Sequence, residues 1–127
     1  MRVLFIEDDG MNRRVVRDML QLAGAVMAEA VDAPSGLEMV ESGEYDIILM
    51  DLRMPGMDGM TAVGHIRSRK DAKAMIPIIV VTADTALDIK ERCLSAGADG
   101  VILKPVAMRE LFDAMSRTMV AAGSRPH

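Results

Sequence analysis

The stretch YDIILMDLRMPGMDG, Tyr45 to Gly59, decides the fold. Its four consecutive apolar residues, Ile47-Ile48-Leu49-Met50, fit a strand buried on both faces, as the strands of a parallel sheet are. Asp51 follows directly and puts a carboxylate at the mouth of that strand, before a loop containing Arg53, Pro55, Gly56 and Gly59. A charge at the end of a buried strand is costly unless something pairs with it. What lies at the ends of the other strands therefore matters.

Apolar runs of strand length recur at Val3-Leu4-Phe5-Ile6, Ile78-Ile79-Val80-Val81 and Val101-Ile102-Leu103. Ala25 to Val31 is mixed in polarity and reads as an edge strand. Segments with a period near 3.6 lie between these runs. Val15, Val16, Met19, Leu20 and Leu22 form the stripe of the first helix, which Gly24 ends. Leu37, Met39 and Val40 serve the second, entered past Asp32 with Pro34 in its first turn. Met60, Val63 and Ile66-Arg67 belong to the third, with Asp58 as its N-cap. Leu87, Ile89, Cys93 and Leu94 mark the fourth, closed by Gly97. Leu111, Phe112, Met115, Met119 and Val120 mark the fifth, and Gly56 and Gly59 read as turn residues. Strand and helix thus alternate five times, which predicts an α/β domain built on a parallel sheet. The domain is expected to span residues 1–122, with 123–127 as a frayed C-terminal tail.

Composition bounds the function. A chain of 127 residues is about one domain, able to bury a core without staples. Half the residues are hydrophobic and only 2% aromatic, so the core is aliphatic with a large share of the 13 methionines, which fill irregular gaps. A net charge of -4 argues against a direct nucleic-acid binder, which needs a clustered basic patch. The single Cys93 excludes an internal disulfide and fits a reducing compartment. The opening apolar run is too short for a signal peptide, and no stretch approaches membrane-spanning length. The expectation is a soluble, cytoplasmic protein with no membrane partner.

In open α/β sheets, ligands bind outside the carboxyl ends of the strands. The first run ends in Glu7-Asp8-Asp9, the run at Ile47 in Asp51, the run at Ile78 in Thr82, and the last in Lys104-Pro105. Crowded carboxylates raise one another's pKa unless a cation joins them. Oxygen ligands without His or Cys select a hard ion such as Mg²⁺. An aspartate in such a site can act as nucleophile and carry a phosphoryl group. A lysine and the metal would neutralise the transferring oxygens, and a threonine hydroxyl would bond one of them. Taken singly, each residue has a plainer reading. Asp51 would be a turn former, Thr82 a strand-end residue, Lys104 a solvated side chain, and Glu7-Asp8-Asp9 a capping cluster for the first helix. Independent caps would not all need to occupy equivalent strand-end positions, and that favours one shared site.

The segments "LFIEDD", "IILMDLRMPGMDG", "VVTA" and "GADGVILKP", in this order and spacing, resemble the receiver domain of two-component response regulators from roughly Arg2 to Val120. The resemblance implies a doubly wound, flavodoxin-like sheet of strand order 2-1-3-4-5 flanked by five helices. By position it implies that Asp51 is the phosphoacceptor and Glu7 and Asp8 the acidic pair, with Asp8 and Asp51 direct Mg²⁺ ligands. Arg53 matches the residue whose backbone carbonyl joins the metal shell, Thr82 the switch hydroxyl, and Lys104 the lysine that contacts the phosphoryl group. The Lys104-Pro105 bond matches a position that is cis in the family. Asp9 is not assigned to the metal. Val101 stands where receivers often carry Tyr or Phe, so the switch is expected in the loop after Thr82 and the start of the fourth helix rather than in a ring flip. Arg53 and Asp84 each lie two residues past a strand-end group of neighbouring strands and should face each other across the site.

The resemblance implies a stand-alone, chemotaxis-regulator-like response regulator. It would take its phosphoryl group from a histidine kinase or histidine phosphotransfer protein and signal to a downstream protein by contact or onward phosphotransfer. It would be no enzyme beyond catalysing its own phosphorylation and dephosphorylation. Three rivals remain. A phosphatase with an aspartate nucleophile would need a second Asp where Arg53 stands. A dinucleotide-binding fold lacks its G-x-G-x-x-G after the first strand. A pseudo-receiver acting only as a binding scaffold would not need Asp8, Asp51, Thr82 and Lys104 together.

Overall fold

In the computed structural model, which describes residues 1–123, each apolar run is a strand: β1 (Arg2–Ile6), β2 (Val26–Ala30), β3 (Ile47–Asp51), β4 (Ile78–Thr82) and β5 (Gly100–Leu103). All pair in parallel, in the order β2-β1-β3-β4-β5. Four helices connect them, α1 (Gly10–Leu22), α2 (Ala33–Ser42), α3 (Gly59–Arg67) and α4 (Ile89–Ala96), and a fifth, α5 (Met108–Gly123), follows β5. A 3-10 turn, Ala72–Met75, precedes β4. The mixed segment is indeed the edge strand β2.

Alternation of side chains along each strand divides the core into two layers. Leu4, Ile6, Ile48, Met50, Ile78 and Val80 pack beneath α2, α3 and α4, through Val40, Ala62, Val63, Ile66, Ile89 and Cys93. Val3, Phe5, Ile47, Leu49, Ile79, Val81 and Ile102 pack beneath α1 and α5, through Val16, Leu20, Leu111, Ala114 and Met115. The strand order reverses between β1 and β3, so the loops after these two strands diverge and leave a cleft between them.

Side-chain caps set the helix starts. Asp9, Asp32 and Asp58 accept hydrogen bonds from the backbone N–H groups of Met11, Ser35 and Thr61 respectively. Asp58 is thus the cap that its sequence position suggests. Gly59 is not a turn residue but the first residue of α3, and a Cβ there would collide with the carbonyl oxygen of Asp51. Only glycine lets α3 start this close behind the end of β3. Gly56, at φ 80°, is the turn residue of that loop.

The apolar stripes are narrower than the sequence suggests. Leu87 precedes α4 and is fully exposed, Leu94 is exposed as well, and only Ile89 and Cys93 bury the helix. Val15, Leu22 and Val120 also face solvent. Periodicity locates a helix, but these short or peripheral helices cover less of the sheet than their apolar content would allow. At the C-terminus α5 runs on to Gly123, one residue into the segment expected as a tail; residues 124–127 lie outside the described residues. Among the described residues, no helix is long and apolar enough to cross a membrane.

Candidate functional site

Sheet register sets Glu7 level with Asp51 and staggers the ends of β4 and β5 beyond them. Ile6 pairs with Met50, Asp51 with Val81, and Thr82 with Leu103. Thr82 thus lies one residue and Lys104 two residues past the level of Asp51, and all four residues emerge at the carboxyl edge of the sheet. One oxygen each from Glu7, Asp8 and Asp51 can be chosen so that all lie within 4.8 Å of one another. Glu7 is 0% and Asp51 3% exposed, whereas Asp8 faces solvent. From the end of β5, Lys104 reaches over β4 and donates through Nζ to Glu7 Oε1 at 2.7 Å and to Asp51 Oδ1 at 3.2 Å. The Lys104-Pro105 bond is cis, as the resemblance implies.

Burial pushes the Asp51 carboxyl up to about 7, the Glu7 carboxylate beside it adds to the rise, and Lys104 only partly offsets both. For Glu7, burial acts upward, but its hydrogen bonds with Asp51 and Lys104 outweigh it and hold this carboxyl below the usual range. Burial works against the Lys104 ammonium, yet Glu7 and Asp51 together keep its pKa raised. Glu7 is therefore the ionised partner of Lys104, and Asp51 sits near neutrality between its two forms.

These residues suit a hard cation. Of the three clustered carboxylates, Glu7 and Asp51 share one ammonium, and Glu7 Oε2 is buried without a hydrogen-bond partner. Every side-chain donor is oxygen, the ligand set for a hard ion such as Mg²⁺ rather than for a soft or imidazole-seeking metal. Asp9, left out of the metal set from sequence, is occupied as the N-cap of α1.

Thr82 is fully buried, and its Oγ1 accepts the N–H of Asp84 at 3.0 Å. At the rim, Arg53 and Asp84 do meet: Nη2 donates to Oδ2 at 2.5 Å. The Arg53 side chain is 74% exposed, that of Asp84 13%. Asp84 Oδ1 also accepts the N–H of Ala86, so this residue ties the loop before α4 to the loop after β3. The Ala86 N–H and, after it, Arg53 hold the Asp84 carboxyl below its ordinary pKa. Val101 is half-buried and packs against the layer under α3 and α4.

Two contributors were not apparent in the sequence. Arg13 Nη1 donates to the backbone carbonyl of Glu7 at 2.8 Å, and its Nε donates to Glu29 on β2 at 3.1 Å. The four-residue spacing of Arg13 and Arg17, opposite the lone acid of the edge strand, was the only available signal.

The sequence model of the response regulator receiver domain matches residues 3–116. The chain belongs to this family. It is 35% identical over 115 residues to transcriptional regulatory protein PdtaR of Mycobacterium tuberculosis, covering 90% of this chain and 54% of that protein. It is 34% identical over 120 residues to hybrid signal transduction histidine kinase G of Dictyostelium discoideum, covering 92% of this chain and 4% of that one. The chain therefore spans about half or less of these curated relatives. Among solved structures, it resembles the receiver domain of sensor histidine kinase PA1611 of Pseudomonas aeruginosa at a TM-score of 0.84 and 32% identity, covering 94% of this chain and 97% of that one. That structure has a magnesium ion coordinated in its active-site cleft. Chemotaxis protein CheY4 of Vibrio cholerae matches at a TM-score of 0.85 and 28% identity, covering 92% and 97% of the two chains.

Proposed function

We propose that Asp51 accepts a phosphoryl group from a phosphohistidine on a histidine kinase or phosphotransfer protein. The observation that carries this reading is the convergence of the Glu7, Asp8, Asp51 and Lys104 side chains at the carboxyl edge of the sheet. Asp8, Asp51 and the backbone carbonyl of Arg53 would hold Mg²⁺, with Glu7 beside them. The ion would supply charge neutralisation for the phosphoryl oxygens. An Asp51 carboxylate oxygen attacks phosphorus, an O–P bond forms and the N–P bond to the donor imidazole breaks. Lys104 turns its Nζ from Asp51 towards a phosphoryl oxygen, and the Thr82 hydroxyl donates to another while still accepting from Asp84. Attack of water on phosphorus later releases phosphate and restores the carboxylate. The domain thus catalyses only its own phosphorylation and dephosphorylation, and signals by protein contacts or onward phosphotransfer.

A small phosphodonor with MgCl₂ is expected to add the mass of one phosphoryl group to the intact protein. EDTA or Asp51→Asn should abolish the gain. A gain that persists in Asp51→Asn removes the assignment, and no gain in the wild type favours a binding scaffold.

The Arg53–Asp84 pair extends this reading to the lifetime of the phosphorylated form. Such a pair adds only about 0–1 kcal/mol to stability at an exposed rim, so its role is kinetic: closed, it hinders the in-line approach of water. Arg53→Ala and Asp84→Ala should each shorten the lifetime, and the double variant should be non-additive. Equal lifetimes, or strictly additive changes, would discard the latch.

A further inference from the structure

The acidic pair follows β1 directly, and its backbone is held from the edge strand β2. The N–H of Glu7 donates to the carbonyl of Ala30, the last residue of β2, at 3.0 Å. The carbonyl of Glu7 accepts from Arg13 Nη1 at 2.8 Å. Arg13 is in turn fixed by Glu29, the residue before Ala30, which takes its Nε at 3.1 Å and Arg17 Nη1 at 2.8 Å. Both main-chain polar groups of Glu7 are therefore tied to the last two residues of β2, one directly and one through a guanidinium. Gly10 completes the seat: a Cβ there would lie 3.3 Å from Arg13 Nη2.

From these contacts we infer that Arg13, anchored by Glu29, is a positioning residue for the Glu7-Asp8 acidic pair and sets its affinity for a divalent cation. The inference rests on the Mg²⁺ reading above. The Glu7 side chain has no freedom to compensate for a tilted backbone, since it is fully buried with Oε1 committed to Lys104. Rotation of the Glu7-Asp8 peptide would move both carboxylates at once. Outer groups that orient metal ligands commonly change affinity by about 10–100-fold when removed. Arginine suits the task because its planar fork serves the carbonyl and the carboxylate together, whereas lysine offers a single point of donation.

Electrostatics alone makes an opposite forecast. Arg13 is a cation near the site, so deleting it would tighten Mg²⁺ binding through the field. Deleting the Glu29 anion would loosen it. Positioning predicts the same sign for both.

Titration of the full chain with MgCl₂ by calorimetry decides between them, alongside melting in EDTA. Arg13→Met and Glu29→Ala are each expected to raise the Kd, Arg13→Met by roughly 10-fold, the low end for outer-sphere changes. The double variant should be no worse than Arg13→Met, because Glu29 acts through Arg13. Arg13→Lys should recover only part of the loss. Arg17→Ala, which leaves the Arg13 contacts in place, should bind as the wild type does. Opposite signs for the two single variants would overturn the inference in favour of the field. Lowered melting with an unchanged Kd would reduce Arg13 to a purely structural role and overturn it too. A wild type that takes no Mg²⁺ removes the metal reading and this inference together, whereas a wild type that binds beside variants that match it removes the positioning role alone.

Discussion

Asp51→Asn, in EDTA at pH 8, is expected to be more stable than the wild type by on the order of 2 kcal/mol. In the folded protein the Asp51 carboxyl titrates at about 7, against an ordinary 3.8, because it is buried beside Glu7. A pKa raised on folding means that the native state holds a proton the unfolded chain has already released. The contribution of this group to wild-type stability is thus full below the unfolded pKa, falls as pH climbs from 3.8 to about 7, and is level above that. Each pH unit across that window costs up to about 1.4 kcal/mol, and sharing of charge with Glu7 and Lys104 reduces the total. Asparagine does not titrate and can still accept from Lys104. Its advantage should be complete at pH 8 and vanish near pH 4. MgCl₂ should close the gap from the other side, since a ligand that binds only the folded state stabilises it by RT ln(1 + [L]/Kd), and the variant has lost a ligand. Urea unfolding at the two pH values, with and without MgCl₂, checks all three. A gap that is absent at pH 8, or independent of pH, would refute the electrostatic account.

The burial that raises the Asp51 pKa also makes the strands legible in the sequence, whereas contacts to backbone atoms leave parts of the site hidden. Ile47 to Met50 and Ile78 to Val81 are wholly buried, so nothing but an apolar run could occupy them, and the run announces the strand. Asp51 stood out because it breaks such a run at its end. The Arg53–Asp84 contact could be anticipated because β3 and β4 are parallel neighbours, which brings the residues just past their ends together even with Thr82 one residue beyond the level of Asp51. Arg13 was marked only by its spacing from Arg17 opposite Glu29, because its partner at the site is a backbone carbonyl and carbonyls leave no mark in sequence. Gly59 was misread for a related reason: it serves a close approach to Asp51 O, which only the packed structure displays. Leu87 was misread because its apolar character suggested a buried face in a segment that ends before α4 begins.

Lys104→Met should have the opposite effect to Asp51→Asn, and a larger one. Methionine keeps most of the unbranched stem, so the packing of β5 changes little, but the ammonium that serves both Glu7 Oε1 and Asp51 Oδ1 is lost. Removing one partner from a buried ionic cluster typically costs about 3–5 kcal/mol, because the remaining charges stay desolvated and unpaired. Here two carboxylates would face each other with nothing between them, and Glu7 Oε2 already lacks a partner. At pH 8 in EDTA the variant should therefore unfold at a markedly lower urea concentration. MgCl₂ should recover a larger share of stability than it adds to the wild type, since a divalent cation can replace the missing positive charge. The double variant Lys104→Met with Glu7→Gln isolates the cause. If repulsion between Glu7 and Asp51 is what destabilises Lys104→Met, neutralising Glu7 should restore stability, and the two substitutions will be strongly non-additive. Strict additivity would instead assign the cost to the lost stem contacts. Lys104 would then serve the phosphoryl group alone, with no share in holding the two buried carboxylates together.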